Sequence, residues 1–101
     1  MTSQLHDLES LLRARLDERP EGSYSVALLT DAEFARRKIM EEAFEVCLEL
    51  GRGDVDPQRT ASEAADLVFH LLAGLVGAGV PFSDVLDELT ARRGKSQTKD
   101  S

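Results

Sequence analysis

On a helix advancing about 100° per residue, Lys38, Glu41, Glu42, Glu45 and Glu49 fall in one stripe roughly 100° wide. Ile39, Ala43, Val46 and Leu50 flank it on one side, and Met40, Phe44, Cys47 and Leu48 on the other. A solvated face would account for a few acids. Like charges three and four apart repel, however, and apolar surface on both flanks calls for packed neighbours that crowd the stripe. Further along, Asp66 and His70 are the only ionisable side chains between Ala64 and Gly77. A helix apolar on nearly every side is a buried helix, and a buried Asp66 needs a hydrogen-bond partner or a metal. Glu63, Asp66 and His70 share one stripe, and Gly74 continues it without a side chain. The plain structural alternative is Asp66 hydrogen-bonded to His70.

Seventeen residues separate Glu45 from Glu63, a connection short enough to make the two helices antiparallel neighbours with facing acidic stripes. Glu42, Glu45, Glu63 and Asp66 then converge, and four carboxylates stay ionised together only if something positive joins them. Oxygen donors without thiolates favour Mg²⁺, with Mn²⁺ as the alternative, over zinc. Such a cation keeps bound waters and commonly serves phosphates, and Lys38 beside it suits an anionic substrate. A phosphoanhydride hydrolysed there would have its charge neutralised by the cation, with a carboxylate orienting or deprotonating the attacking water. Cys47 points to the apolar side, Ser23 has no histidine near it in sequence, and His70 reads as a supporting group outside the ligand set.

The elements that position these residues read as helices throughout. Leu5, Leu8, Leu11, Leu12 and Leu16 repeat at helical spacing up to Pro20. Pro20 to Ser25 reads as a loop, and Val26 to Leu29 as a short helical turn. Thr30 or Asp31 opens a long helix stopped by Gly51-Arg52-Gly53. Asp56-Pro57 opens the next, which runs to about Gly77, and Ser83 or Asp84 caps a last helix ending near Arg93. No segment alternates with period two. The expected fold is all-α, a bundle of four main helices or five with the short turn, forming one domain over residues 1–93 with a polar, frayed tail over 94–101. With 101 residues, four helices bury too little apolar surface alone, so a homodimer is expected, its two-fold interface covering the fourth helix. The net charge of −7 disfavours nucleic acid and anionic membranes. The longest charge-free run, Leu71 to Ser83, is thirteen residues broken by glycine and proline, too short for a membrane span. A single cysteine and an N-terminus without a signal-like apolar run point to a cytoplasmic protein.

Lys38-x-x-Glu41-Glu42-x-x-Glu45 followed by Glu63-x-x-Asp66-x-x-x-His70 resembles the all-α nucleotide pyrophosphatases often called MazG-like. Pro20-Glu21-Gly22-Ser23-Tyr24, Leu28-Leu29, Glu63-Ala64-Ala65-Asp66-Leu67 and Gly79-Val80-Pro81-Phe82-Ser83-Asp84-Val85 look like the phosphoribosyl-ATP pyrophosphatase branch, over roughly Leu5 to Arg93. That resemblance implies Mg²⁺-dependent hydrolysis of phosphoribosyl-ATP to phosphoribosyl-AMP and pyrophosphate in histidine biosynthesis. By position it implies Glu42, Glu45, Glu63 and Asp66 as metal ligands, and Glu42, Glu45 and Lys38 among the catalytic groups. Glu41 joins them as ligand, base or outer group, and Lys38 also neutralises phosphate. Ser23 and Tyr24 would close the substrate site. Met40 stands where the family usually has glycine. The other readings are a housekeeping pyrophosphatase for other nucleoside triphosphates, and a non-catalytic helical dimerisation module whose acidic stripe is merely solvated.

Overall fold

The computed structural model describes residues 2–94, in which five helices follow one another: α1 (Thr2–Glu18), α2 (Tyr24–Thr30), α3 (Ala32–Leu50), α4 (Pro57–Ala78) and α5 (Phe82–Arg93). Among the described residues there is no strand, so the all-α expectation holds. The expected tail lies, except for Gly94, outside the described residues.

Local chemistry sets most helix starts. The Ser23 Oγ accepts the Val26 N–H at 3.3 Å and opens α2. The Asp31 carboxylate accepts the Phe34 N–H at 3.1 Å and opens α3. The Asp56 carboxylate takes the amides of Gln58 and Arg59 at 3.0 and 3.3 Å, with Pro57 at the first helical position. Each such cap is worth about 1 kcal/mol. Two expectations are corrected here. What the sequence presents as a turn at Val26–Leu29 is a capped helix beginning at Tyr24, because Ser23 supplies the acceptor its free amides need. And α5 is capped by neither Ser83 nor Asp84: it starts at Phe82, whose N–H donates to Glu9 Oε2 of α1 at 2.9 Å. That amide holds the Glu9 carboxyl below its usual range, against the opposing effect of desolvation.

α4 is the hub, packing most extensively on α3 and also touching α1, α2 and α5. Leu12, Leu28, Leu29, Ala35, Leu72, Ala73 and Val76 form the core, with Leu8, Leu16, Phe34, Phe69 and Phe82 packed against it. This core takes the C-terminal half of α4 and the N-terminal half of α3, leaving the other halves free for polar side chains. α2 comes close enough to α4 that a Cβ at Gly77 would lie 2.5 Å from the Leu29 carbonyl oxygen. Gly77→Ala is therefore expected to destabilise the chain by about 1–3 kcal/mol through forced backbone shifts, read as a lower urea midpoint. Gly79 ends α4 in the left-handed region at φ 79°, which lets the Val80 N–H bond back to the Leu75 carbonyl at 2.9 Å.

Within one chain the apolar flank of α3 is not covered. Met40, Phe44 and Leu48, four residues apart, are 72%, 63% and 56% exposed. α4 likewise leaves Val68 and Leu71 about 40% exposed. Within the single chain, five helices give α4 neighbours on only part of its circumference. By length and composition α4 is apolar enough to cross a bilayer, a property it shares with core helices of bundles.

Candidate metal centre and substrate groove

α3 and α4 run antiparallel, as three cross-contacts show. Arg59 meets Glu49 at 3.0 Å, the Glu45 and Glu63 carboxylates come together, and Ile39 lies against Gly74. The acidic stripes therefore face each other.

Helix geometry then sorts the stripe residues. Residues seven apart differ by only about 20° around an α-helix, whereas residues three apart differ by about 60°. Glu42 and Glu49 accordingly both point inward on α3 and are buried, while Glu45, between them, is exposed at the rim. On α4 the same rule turns Glu63 and His70 inward and leaves Asp66 exposed. The expected burial of Asp66 is thus corrected: the buried polar group of α4 is His70, and Asp66 stands at the groove's edge.

Carboxylate oxygens of Glu42, Glu45 and Glu63 lie within 4.8 Å of one another. Asp66 stands outside this trio, although its charge reaches Glu63. Oε1 of Glu42 and Oε1 of Glu63 are buried and accept no hydrogen bond. Buried carboxylate oxygens without partners are costly, and a cation bound by the trio would satisfy both. The donor set is all oxygen, which suits a hard divalent cation. Glu63 registers the crowding of these carboxylates. Its pKa is raised above the ordinary 4.5, first by sharing a proton with Glu45, then by desolvation and by the charges of Glu45, Asp66 and Glu42.

This shift has a sign that can be measured. The folded chain holds the Glu63 proton more tightly than the unfolded chain, so the associated stability is complete below 4.5 and is lost as pH rises through the raised value. Glu9, whose pKa is lowered, loses its contribution only as pH falls below the ordinary carboxylate range, so it is silent in this window. Without added Mg²⁺ the protein is expected to lose melting temperature as pH rises above the ordinary carboxylate range, and Mg²⁺ is expected to restore it at pH 7. A melting temperature at pH 7 that ignores Mg²⁺ would argue against a metal on this trio.

Opposite charges close both ends of the groove. At one end Arg59 donates to Glu49 Oε2 at 3.0 Å, with Arg52 Nε at 4.0 Å from the other oxygen. Glu49, although on the acidic stripe, is therefore paired with cations. At the other end the Lys38 ammonium donates to Glu41 at 3.0 Å and stands 3.9 Å from Glu42. The Glu41 hydrogen bond is the main reason its proton is held more tightly than usual, with the Tyr24 hydroxyl and Glu42 adding to it. Glu41 itself is exposed and lies apart from the trio. Ser23 is occupied as the α2 cap, and Tyr24, in the first turn of α2, reaches His70 Nε2 at 2.8 Å. Cys47 is exposed and outside the groove.

The Glu49–Arg59 pair and the Tyr24–His70 bond are the two elements the sequence reading passed over. Only the first had a signal in the sequence, and it was periodicity: Glu49 lies seven residues after Glu42, and Arg59 four before Glu63. Removing Arg59 would leave the buried Glu49 carboxylate with Arg52 alone, at 4.0 Å. Because the Arg59 side chain is itself 60% exposed, Arg59→Ala is expected to cost only about 1 kcal/mol. Glu49→Gln in the same background should recover most of it, as a thermal-melt double-mutant cycle would show.

The chain is similar to known proteins over most of its length. Residues 5–93 match the family model described as phosphoribosyl-ATP pyrophosphohydrolase. A phosphoribosyl-ATP pyrophosphatase of Metallosphaera sedula is 40% identical over 94 residues, covering 91% of this chain and 98% of that protein. One from Rhizorhabdus wittichii is 43% identical over 97 residues, covering 95% and 90% respectively. The histidine biosynthesis trifunctional protein of Neurospora crassa is 42% identical over 91 residues, which cover 90% of this chain but 10% of that much longer protein. No solved structure matches. With the family model and near-full-length relatives spanning both acidic helices, the chain belongs to the phosphoribosyl-ATP pyrophosphohydrolase family.

Proposed function

We propose that this chain hydrolyses phosphoribosyl-ATP to phosphoribosyl-AMP and pyrophosphate, the histidine-pathway reaction its family is named for, with Mg²⁺, or Mn²⁺ in its place, held by Glu42, Glu45 and Glu63. The observation that carries the reading is the trio of facing carboxylates with two buried, unpartnered oxygens, in a chain whose relatives bear that name over nearly their whole length. Asp66, exposed at the rim and close enough for its charge to reach Glu63, joins the ligand set in this reading. When bound, the divalent cation supplies charge neutralisation for the leaving pyrophosphate.

The remaining work falls to this chain's own groups. Lys38, at its end of the groove, meets substrate phosphate by exchanging its exposed partner Glu41 for a more highly charged anion. Glu41, released from Lys38, is free to orient or deprotonate the attacking water, with Glu45 at the rim as the other candidate. Ser23 and Tyr24 close the groove from α2. The Arg59–Glu49 pair ends the acidic groove on the far side and keeps Glu49 out of the ligand set.

The functional unit in this reading is a homodimer in the cytoplasm, acting on a small nucleotide and needing neither nucleic acid nor membrane. The Met40–Phe44–Leu48 stripe supports the dimer, since so much contiguous apolar surface is rare on a monomer. The apolar cleft of 380 Å³ lined by Ile39, Leu71, Gly74 and Leu75 supports it too. Phe44→Glu is expected to halve the mass measured by light scattering at micromolar concentration; an unchanged mass would place the contact elsewhere. The reaction itself is tested by pyrophosphate release from phosphoribosyl-ATP, ATP and dUTP with and without Mg²⁺. Preference for phosphoribosyl-ATP supports the reading, and equal turnover of all three would make the chain a general nucleotide pyrophosphatase.

A further inference from the structure

The Tyr24–His70 contact has a direction fixed by its surroundings. His70 is buried on α4, and its Nδ1 lies 2.7 Å from the Asp66 backbone carbonyl. A carbonyl only accepts, so Nδ1 carries the hydrogen. In the neutral ring Nε2 is then a bare acceptor, and the Tyr24 hydroxyl 2.8 Å away must donate to it. Edge-to-face contacts with Phe34 and His70 hold the tyrosine ring in place, and Phe69 holds the imidazole in the same way. The one proton of Tyr24 is therefore spent inward. The residue is 47% exposed, and among the described residues no other group donates to its oxygen. At the Lys38 end of the groove the chain thus presents a fixed oxygen with free lone pairs and no hydrogen to give.

Such an oxygen is a poor partner for phosphate. Phosphate oxygens at neutral pH are acceptors, and two acceptors do not bond. The donors on a phosphoribosyl nucleotide are its sugar hydroxyls and the base N–H groups, and the hydroxyls lie next to the phosphates that Lys38 would hold. We propose that His70 positions Tyr24 as a hydrogen-bond acceptor, so that its oxygen takes a sugar hydroxyl of the nucleotide and not a phosphate. His70 is on this account a positioning residue, and Tyr24 a specificity residue for the nucleoside part. The inference rests on the reading that the substrate is a phosphoribosyl nucleotide. It narrows that reading by dividing the groove: carboxylates and Lys38 serve the phosphate chain, Tyr24 the sugar.

Two measurements on the full-length chain test it. The first is the tautomer of His70, by nitrogen-15 NMR of the wild-type protein at pH 8 without substrate, with His6→Gln to assign the two histidines. A protonated Nδ1 and bare Nε2 are expected; hydrogen on Nε2 overturns the proposal, whatever the enzyme's substrate proves to be. The second compares product inhibition in wild type and Tyr24→Phe with Mg²⁺ present. The variant is expected to weaken binding of phosphoribosyl-AMP at least fivefold while changing that of pyrophosphate less than twofold. Equal weakening of both would make Tyr24 a phosphate donor, and no weakening of either would remove it from the site; both outcomes overturn the proposal. His70→Leu, which releases the hydroxyl, should show the same preferential loss of phosphoribosyl-AMP, and His70→Gln, which restores an acceptor, should recover part of it. If wild type fails to turn over phosphoribosyl-ATP at all, the functional reading falls, and the NMR result still stands or falls by itself.

Discussion

Glu42→Gln is expected to lower turnover at least about 100-fold, the scale seen when one preorganised charge is taken from a site that stabilises a transition state. The fold should survive. Glutamine has nearly the shape of glutamate, and the substitution removes a negative charge from a cluster in which Glu63 already holds its proton above the ordinary range. The Glu42 Oε1 that is lost has no hydrogen-bond partner to forfeit. Metal-free Glu42→Gln should therefore melt no lower than wild type, and its melting temperature should no longer respond to Mg²⁺. Glu45→Gln and Asp66→Asn are expected to follow in activity, Asp66→Asn with the smaller effect because that side chain stands outside the trio. Loss of melting temperature in all three, without loss of the Mg²⁺ response, would make the carboxylates structural.

Lys38→Ala is expected to lower turnover of phosphoribosyl-ATP at least tenfold, about 1.4 kcal/mol of transition-state stabilisation. Stability should change little. The ion pair that would be lost is local, between residues three apart, and its partner Glu41 is half exposed, a type of pair worth about 0–1 kcal/mol. Mg²⁺ binding without substrate should be nearly unchanged, because an ammonium is not a ligand. The discriminating quantity is the ratio of the two effects: a tenfold kinetic loss beside a sub-kilocalorie stability change marks a phosphate contact. Wild-type turnover would return Lys38 to a solvated helix face.

Much of this molecule was legible in the residues alone, for a physical reason. Helical periodicity and capping are local, so Asp31, Asp56-Pro57 and Gly79 mark their helix boundaries without reference to any distant residue. The short link between Glu45 and Glu63 likewise forces the two acidic helices to be neighbours, and the carboxylate pattern on them already points to a hard cation and a phosphate substrate. Tertiary packing decided the rest. The inward turn of Glu42, Glu49, Glu63 and His70, and the outward lean of Glu45 and Asp66, depend on which line of each helix faces the other, a rotation that no single stripe specifies. The start of α5 depends on Glu9, 73 residues away in sequence. The pairing of Glu49 with Arg59 and the capture of the Tyr24 hydroxyl by His70 each need two helices in register. Stripe and spacing name the charged residues of the groove; only the packing of α2 and α4 against α3 determines which of them are left without a partner, and so where a cation and a substrate would find their contacts.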